Sequence, residues 1–214
     1  MRVMDAERDA MLSRLRQGGV RDERVLQAMA AVPRELFVGP GERVEAYADR
    51  ALPIGCGQTI SQPLMVAVMV EALGLQPGER ALDVGTGSGY QAAVMAACGA
   101  HVVSVERIPA LADEAVARLS NLGYDVEVVL GDGSLGVPER APFDAIAVGA
   151  AAPRLPLALA RQLREGGRLV VPIAGGPAGE ELTRLRLASG RWETESLGPC
   201  RFVPLIGDDA YAEA

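Results

Sequence analysis

The sequence predicts an α/β fold in which a mostly parallel central sheet carries helices on both faces. From about residue 62, helical and strand-like apolar patterns alternate; a glycine-rich turn interrupts them at residues 85–89, and shorter runs follow residue 179. The alternation predicts parallel strands whose carboxyl ends form a ligand-binding edge. The shorter runs predict an antiparallel hairpin at the edge of the sheet.

Two amphipathic helices are expected before the sheet, near Asp5–Arg16 and Asp22–Val32. Apolar residues recur there at helical spacing. Pro33 should end the second helix, because proline cannot continue the backbone hydrogen-bond ladder. These residues form an N-terminal helical appendage.

The elements of the core follow in regular order. Strands are assigned to short apolar runs and helices to longer amphipathic ones. The predicted order is helix Gln62–Leu73, strand Arg80–Val84, helix Tyr90–Ala97, strand Val102–Glu106, helix Pro109–Leu122, strands Val126–Leu130 and Phe143–Val148, helix Leu155–Leu163, strand Arg168–Pro172, and a hairpin of Glu181–Ala188 and Arg191–Leu197.

Length and composition predict a single domain. A chain of 214 residues with 49% hydrophobic content can bury one core. We expect the helical appendage at 1–50, a cofactor-binding α/β core at 51–174 and the C-terminal antiparallel strands at 175–214. No repeat or linker divides these parts.

Charge and cysteine content restrict the partners and the compartment. A net charge of -7 without a long basic block argues against nucleic acid as a partner. The charged amino terminus is unlike a signal peptide, and no apolar run reaches the roughly 18 residues that span a bilayer. The three cysteines lack metal-like spacing, which favours reduced thiols and no metal site. We therefore expect a cytoplasmic monomer that does not bind a membrane.

The turn after the first core strand predicts a nucleoside site. Gly85, Gly87 and Gly89 permit a tight turn and close approach of the backbone to a ligand. Glu106 ends the next strand about 20 residues later, where a carboxylate can accept both hydroxyls of a ribose. Tyr90 stands where a dinucleotide fingerprint would have its third glycine. The tighter GxGxG spacing resembles motif I of class I S-adenosylmethionine-dependent methyltransferases, in a Rossmann-like fold.

Longer motifs extend this resemblance over nearly the whole chain. The runs YADRALPIGCGQTISQPLMVA, LDVGTGSGYQAAV, SVERI, GDGSLG, APFDAIAVGAAAP, QLREGGRLVVPI and RFVPLIG resemble the protein-L-isoaspartate O-methyltransferase family. GQTISQPxMVA and the terminal FVPL are the most specific of them. The resemblance implies methyl transfer from S-adenosyl-L-methionine to the α-carboxylate of L-isoaspartyl residues in damaged proteins and peptides. It also implies the product S-adenosyl-L-homocysteine, and repair through a succinimide.

The resemblance also implies roles for individual residues. Ser61 takes the active-site position and would orient the acceptor carboxylate. The remaining assignments concern the cofactor: the loop glycines lie under the methionine and ribose, Glu106 holds the ribose, and further contacts come from Thr59, Ile60, Thr86, Arg107, Gly131 and Asp132.

Local sequence leaves a structural alternative open at two of these positions. Ser61 precedes Gln62-Pro63 and an apolar helix, a pattern typical of a helix N-cap. Asp132 lies between two glycines, which is typical of a turn aspartate. For Ser61 the surrounding motif favours the active-site role.

The expected chemistry requires no general base. A carboxylate acceptor, with a typical pKa near 4, is already ionised at neutral pH. The single histidine, His101, begins a strand far from the ligand-binding edge, and we interpret it as a surface residue. Two alternatives stay open: methylation of another carboxylate acceptor, and a non-catalytic cofactor-binding module.

Overall fold

The chain opens with two helices that pack against the rest of the protein. The computed structural model describes residues 2–176 and 179–213. α1 (Arg2–Gln17) and α2 (Glu23–Ala31) lie where the apolar spacing predicts them. The Asp22 carboxylate caps α2 by accepting from the Arg24 amide at 2.8 Å.

The core alternates strands and helices as predicted. Most boundaries agree with the sequence prediction to within a residue or two. The elements are β1 (Leu52–Gly55), β2 (Gln58–Ile60), α3 (Pro63–Leu73), β3 (Arg80–Val84), α4 (Tyr90–Ala97), β4 (His101–Glu106), α5 (Pro109–Asn121), β5 (Val126–Leu130), β6 (Phe143–Val148), α6 (Leu157–Ala160), β7 (Leu163–Gly176), β8 (Gly179–Ala188) and β9 (Arg191–Cys200).

A seven-stranded sheet organises the fold in the order β5-β4-β3-β6-β7-β8-β9. Strands β3 to β7 are parallel, whereas β8 and β9 are antiparallel to their neighbours. The chain moves outward from β3 to β5 and then returns to the other side of β3 as β6. Adjacent connections therefore diverge beside β3, which opens a crevice at the carboxyl ends of the strands.

The two faces of the sheet are covered differently. Alternate residues of each strand point to opposite faces of the sheet. Ala81 therefore belongs to a hydrophobic cluster with α1 to α5, whereas Leu82 belongs to a second cluster on the opposite face. That second cluster includes the short α6 and Leu205 from the C-terminal segment. Within the described ranges no helix is both long and apolar enough to cross a membrane.

The prediction was wrong at two places. The expected helix Leu155–Leu163 is only Leu157–Ala160, because Leu163 already pairs with Phe143 as β7 begins. That strand is correspondingly longer than Arg168–Pro172. The sequence prediction also missed the β1-β2 hairpin, whose two strands are short and glycine-bounded.

Candidate active site

The glycine loop lies at the carboxyl end of β3 and is held by the neighbouring strand. The amides of Gly85 and Thr86 donate to the Val105 carbonyl at 2.9 and 3.2 Å. Gly85, Gly87 and the N-cap residue Gly89 all have positive φ, of 89°, 52° and 89°. Side chains rarely adopt this conformation, so the loop geometry accounts for the glycine spacing.

Glu106 connects the loop to the second strand. Its side chain is buried, and its Oε2 accepts from the Gly87 amide at 2.8 Å. Oε1 accepts from the Ile108 amide at 3.0 Å. A carboxylate has about four acceptor positions, so two remain for the hydroxyls of a ribose. The structure thus brings Glu106 and the loop glycines together as predicted.

A cleft opens beside this loop at the crevice of the sheet. It contains about 700 Å³ of empty space, part of which is open to solvent. Its walls combine the glycine loop, the end of β4, the start of β2 and a C-terminal segment that crosses above the sheet. The lining residues are Gln58, Thr59, Val84, Gly85, Gly87, Val105, Glu106, Arg107, Ile108, Gly133, Gly149, Ala150, Val203, Pro204, Leu205 and Ile206.

A buried polar chain supports the loop from below. The Asp83 carboxylate accepts from Gln91 Nε2 and from Ser104 Oγ, each at 2.8 Å. Ser104 Oγ lies 2.6 Å from Thr86 Oγ1, so the Thr86 hydroxyl points into the protein interior. Burial raises the pKa of Asp83 to about 6, although both hydrogen bonds oppose that shift.

Asp132 uses both carboxylate oxygens within the protein. Oδ1 accepts from the Ser134 amide at 2.8 Å and from Ser134 Oγ at 2.7 Å. Oδ2 accepts from the Asp208 amide at 2.8 Å. The residue therefore caps a short 3-10 helix and fixes the C-terminal segment, as the turn interpretation anticipates. With Gly131 and Arg107 it lines a depression adjoining the cleft.

Two other predicted cofactor residues lie at the edges of the cleft. Arg107 is at the rim and forms an ion pair with Glu213. Ile60 is buried in the hydrophobic core, and with Thr59, Ser61 and the glycine loop it lines a small space beside the cleft. Among the described residues, no group of three or more His, Cys, Asp or Glu side chains is arranged to hold a metal ion.

Ser61 lines a second depression that adjoins the cleft. Thr59, Gly149 and Val203 contribute to both, so the two spaces are separated only by these residues. The remaining lining comes from the start of α3 and from the chain after β9. The full lining of this acceptor-side depression is Ala51, Thr59, Ser61, Gln62, Met65, Gly149, Pro199, Cys200, Arg201, Phe202 and Val203.

Ser61 is not the cap of α3. The N-cap position is Gln62, which makes no side-chain capping bond. Instead the Leu64 amide donates to Asp49 Oδ1 at 3.0 Å, so a carboxylate from the preceding loop caps the helix. The Ser61 side chain is half-buried and lines the depression.

Sequence reasoning missed the C-terminal wall of this site. Phe202 and Val203 belong to the FVPL motif, which carried the family resemblance without being given a contact. The Phe202 amide donates to Glu180 Oε2 at 2.7 Å, and the Ala151 amide donates to the Val203 carbonyl at 2.8 Å. The motif's presence in the resemblance was the signal that could have identified this wall.

Comparison with known proteins gives a consistent result. A family model described as Protein-L-isoaspartate(D-aspartate) O-methyltransferase matches residues 6–210. A protein-L-isoaspartate O-methyltransferase of a Roseiflexus species is 55% identical over 206 residues, covering 96% of this chain and 94% of the relative. One from Methylorubrum populi is 54% identical, covering 95% of this chain and 97% of the relative.

Solved structures agree. A protein-L-isoaspartate O-methyltransferase superposes with a TM-score of 0.83 at 32% identity, over 95% of this chain and 67% of that one. A Plasmodium falciparum protein assigned to the same activity, solved in complex with S-adenosyl-L-homocysteine, gives a TM-score of 0.79 at 27% identity. That superposition covers 92% of this chain and 97% of the other.

Proposed function

The chain belongs to the protein-L-isoaspartate(D-aspartate) O-methyltransferase family, and from this premise we propose how its residues perform the family's reaction. The protein is an S-adenosylmethionine-dependent enzyme that methylates the α-carboxylate of L-isoaspartyl residues in damaged proteins. The methyl ester closes to a succinimide, which hydrolyses in part to normal aspartate. Membership of the family excludes a mere binding module.

The cleft fits the nucleoside cofactor. When bound, S-adenosyl-L-methionine supplies a sulfonium-activated methyl group, and S-adenosyl-L-homocysteine remains after its transfer. Glu106, held by the Gly87 and Ile108 amides, has acceptor positions left for ribose hydroxyls. Gly85, Gly87 and Gly89 would let the backbone approach the methionine portion.

The other predicted cofactor residues have secondary roles in this proposal. Thr59 lines the boundary with the acceptor-side depression. Arg107 flanks the adenine at the rim, and Gly131 with Asp132 shapes the adjoining depression. Thr86 and Ile60 support the loop and β2 from the interior.

Ser61 orients the acceptor carboxylate. Its place in a depression separated from the cleft only by Thr59, Gly149 and Val203 is the observation that carries this proposal. The acceptor is already anionic, so a residue beside it has to align the carboxylate and exclude water, and no proton need be removed. Asp49 accepts the hydrogen bond of the Leu64 amide, and its negative charge reduces the attraction between the N-terminus of α3 and the acceptor carboxylate. A hydroxyl donor can then orient the carboxylate without the tight solvation that would slow transfer.

The test measures labelled-methyl transfer to two peptides that differ only in isoaspartate or aspartate. The native protein should label the isoaspartyl peptide alone, as a base-labile ester. Ser61→Ala should lower kcat by about 10- to 100-fold, the worth of a hydrogen bond to a charged group, with the Kd of S-adenosyl-L-homocysteine unchanged. Ser13→Ala is the control, because its hydroxyl donates only to the Asp9 carbonyl on the exposed face of α1.

Either of two results would contradict the proposal. A Ser61→Ala protein with native kcat would remove the serine from the chemistry. Label on neither peptide, in a protein that binds S-adenosyl-L-homocysteine, would move the activity to another carboxylate acceptor.

The proposal includes a monomeric, cytoplasmic enzyme. Cys56, Cys98 and Cys200 form no disulfide, which is typical of a reducing compartment. Light scattering on the purified protein should give the mass of one 22.4 kDa chain, and a dimer mass would contradict the monomer.

A further inference from the structure

Arg34 is a fully buried cation without a carboxylate partner in contact. It lies in the short 3-10 turn Arg34–Leu36 after α2, and its relative exposure is 0%. None of the ion pairs among the described residues includes it. Its Nη1 is buried without a hydrogen-bond partner. Such burial of a guanidinium is costly, so some other requirement must maintain it.

The contacts of Arg34 converge on the candidate active site. Nη2 donates to the carbonyl of Ser61 at 2.7 Å, and Nε donates to the carbonyl of Ala46 at 2.6 Å. The guanidinium carbon lies 4.7 Å from the centre of the Tyr90 ring. Tyr90 begins α4 directly after the glycine loop. One side chain therefore contacts both the acceptor serine and the helix that follows the cofactor loop.

We propose that Arg34 is a positioning residue that fixes Ser61 relative to the cofactor loop. Through the Ser61 carbonyl it holds the backbone that carries the acceptor-orienting hydroxyl, and through the Tyr90 ring it sets the distance to α4. This inference rests on the role proposed above for Ser61. Arg34 does not touch the reacting atoms itself.

The geometry requires arginine and not only a positive charge. A guanidinium offers donors in a fixed planar fork and a flat face for an aromatic ring. A lysine ammonium could reach one of the two carbonyls but could not also stack on Tyr90. Arg34→Lys therefore keeps the charge and removes the positioning.

Arg168 provides a matched control at the C-terminal end of α3, the helix that begins just after Ser61. Its Nε donates to the Leu73 carbonyl at 2.6 Å and its Nη2 to the Gly74 carbonyl at 3.2 Å, where α3 ends. Unlike Arg34, it is paired with Glu79 at 2.7 Å. Arg168→Lys thus disturbs a comparable backbone anchor away from both ligand sites.

The experiment is a double-mutant cycle with kcat, KM and S-adenosyl-L-homocysteine Kd as readouts. Arg34→Lys should lower kcat about ten-fold in the native background, since misplacement of a reacting group acts on the chemical step. Cofactor-product Kd should stay within about two-fold, and Arg168→Lys should keep native kcat even if its melting temperature falls. In the Ser61→Ala background, Arg34→Lys should lower kcat by less than about two-fold, because the hydroxyl that Arg34 positions is already absent.

Two results would overturn the inference: equal losses of kcat in Arg34→Lys and Arg168→Lys, or an undiminished loss in the Ser61→Ala background. Native kcat in the Ser61→Ala single mutant would instead contradict the proposed role of Ser61, and with it the inference about Arg34. If Arg34→Lys does not fold, Tyr90→Leu tests the same link by removing the ring beneath the guanidinium. It should lower kcat about three-fold in the native background and not in Ser61→Ala, and the opposite pattern would contradict the link.

Discussion

The cofactor side and the acceptor side of the cleft are assembled from different kinds of chain segment. On the cofactor side, β3, α4 and β4 follow one another in sequence, and their buried Asp83 and Glu106 are held by hydrogen bonds within this one β-α-β unit. On the acceptor side, residues near Ser61 meet Pro199–Val203 from the far end of the chain, and most of these residues remain partly exposed. One β-α-β unit thus supplies the glycine loop and Glu106, whereas the acceptor site depends on contacts between the start of α3 and the C-terminal segment.

This difference predicts different consequences for the two sides. Damage to the cofactor side should appear as lost binding or altered stability, because buried charges there have few alternative partners. Damage to the acceptor side should appear as lower turnover with binding retained. Three substitutions, taken from the largest expected effect to the smallest, test this division.

Glu106→Ala should produce the largest effect. It removes a carboxylate that accepts the Gly87 and Ile108 amides and is proposed to accept the ribose hydroxyls. We expect the Kd of S-adenosyl-L-homocysteine to rise roughly 1,000-fold, about 4 kcal/mol, by isothermal titration calorimetry. Glu127→Ala, at an exposed carboxylate on β5 paired with Arg140, should leave that Kd unchanged. Retained binding in Glu106→Ala would contradict the division.

Asp83→Asn should change stability with a defined pH dependence. The folded protein holds the Asp83 proton to about pH 6, whereas the group's ordinary pKa is 3.8. Wild-type stability therefore falls as pH rises from about 4 to 6 and is level above that, because the unfolded chain releases the proton first. Asparagine does not titrate, so Asp83→Asn removes this dependence. Relative to the wild type, its free energy of unfolding should be nearly equal at pH 4 and up to about 3 kcal/mol higher at pH 7.

Denaturant titrations of both proteins at pH 4 and pH 7 measure this difference. Ser104 can adapt by accepting from the new amide and donating to Thr86. A gain of equal size at both pH values would show that the charge of Asp83 is not its cause.

Asp49→Ala should give the smallest change in stability but should still affect turnover. Loss of the cap on Leu64 should cost about 1 kcal/mol in denaturant titration. Because α3 begins beside Ser61, kcat should fall as well. Asp22→Ala removes the comparable cap of α2 and should lose similar stability with native kcat. Equal kcat in the two variants would weaken the distinction between the two sides.

The same difference explains which features could be predicted from sequence. The strand Arg80–Val84 and the helix Tyr90–Ala97 were predicted to the residue, because apolar periodicity and glycine conformation are local properties. The Asp49 cap of Leu64 spans the β1-β2 hairpin, and the Glu180 contact with Phe202 spans the β8-β9 hairpin. No local pattern specifies such pairs.

Competing signals act at two further places. Asp132 has the position expected of an adenine contact, and its oxygens accept from Ser134 and Asp208 as the turn alternative anticipates. The residues at 155–163 have helical spacing, but pairing of Leu163 with Phe143 extends β7 at the expense of the helix. At this second place strand pairing outweighed helix propensity.

The β8-β9 hairpin has two ends with different tolerance to change. Its tip, Ser189-Gly190, lies at the amino edge of the sheet, where the Ser189 amide contacts Glu165. Its base continues into Pro199–Val203 beside Ser61. Over evolutionary time, insertions should therefore accumulate at the tip without cost to catalysis, whereas length changes at the base should alter which damaged proteins are accepted. For the same reason, a fluorophore or affinity tag for following this enzyme in cells is best inserted at the tip.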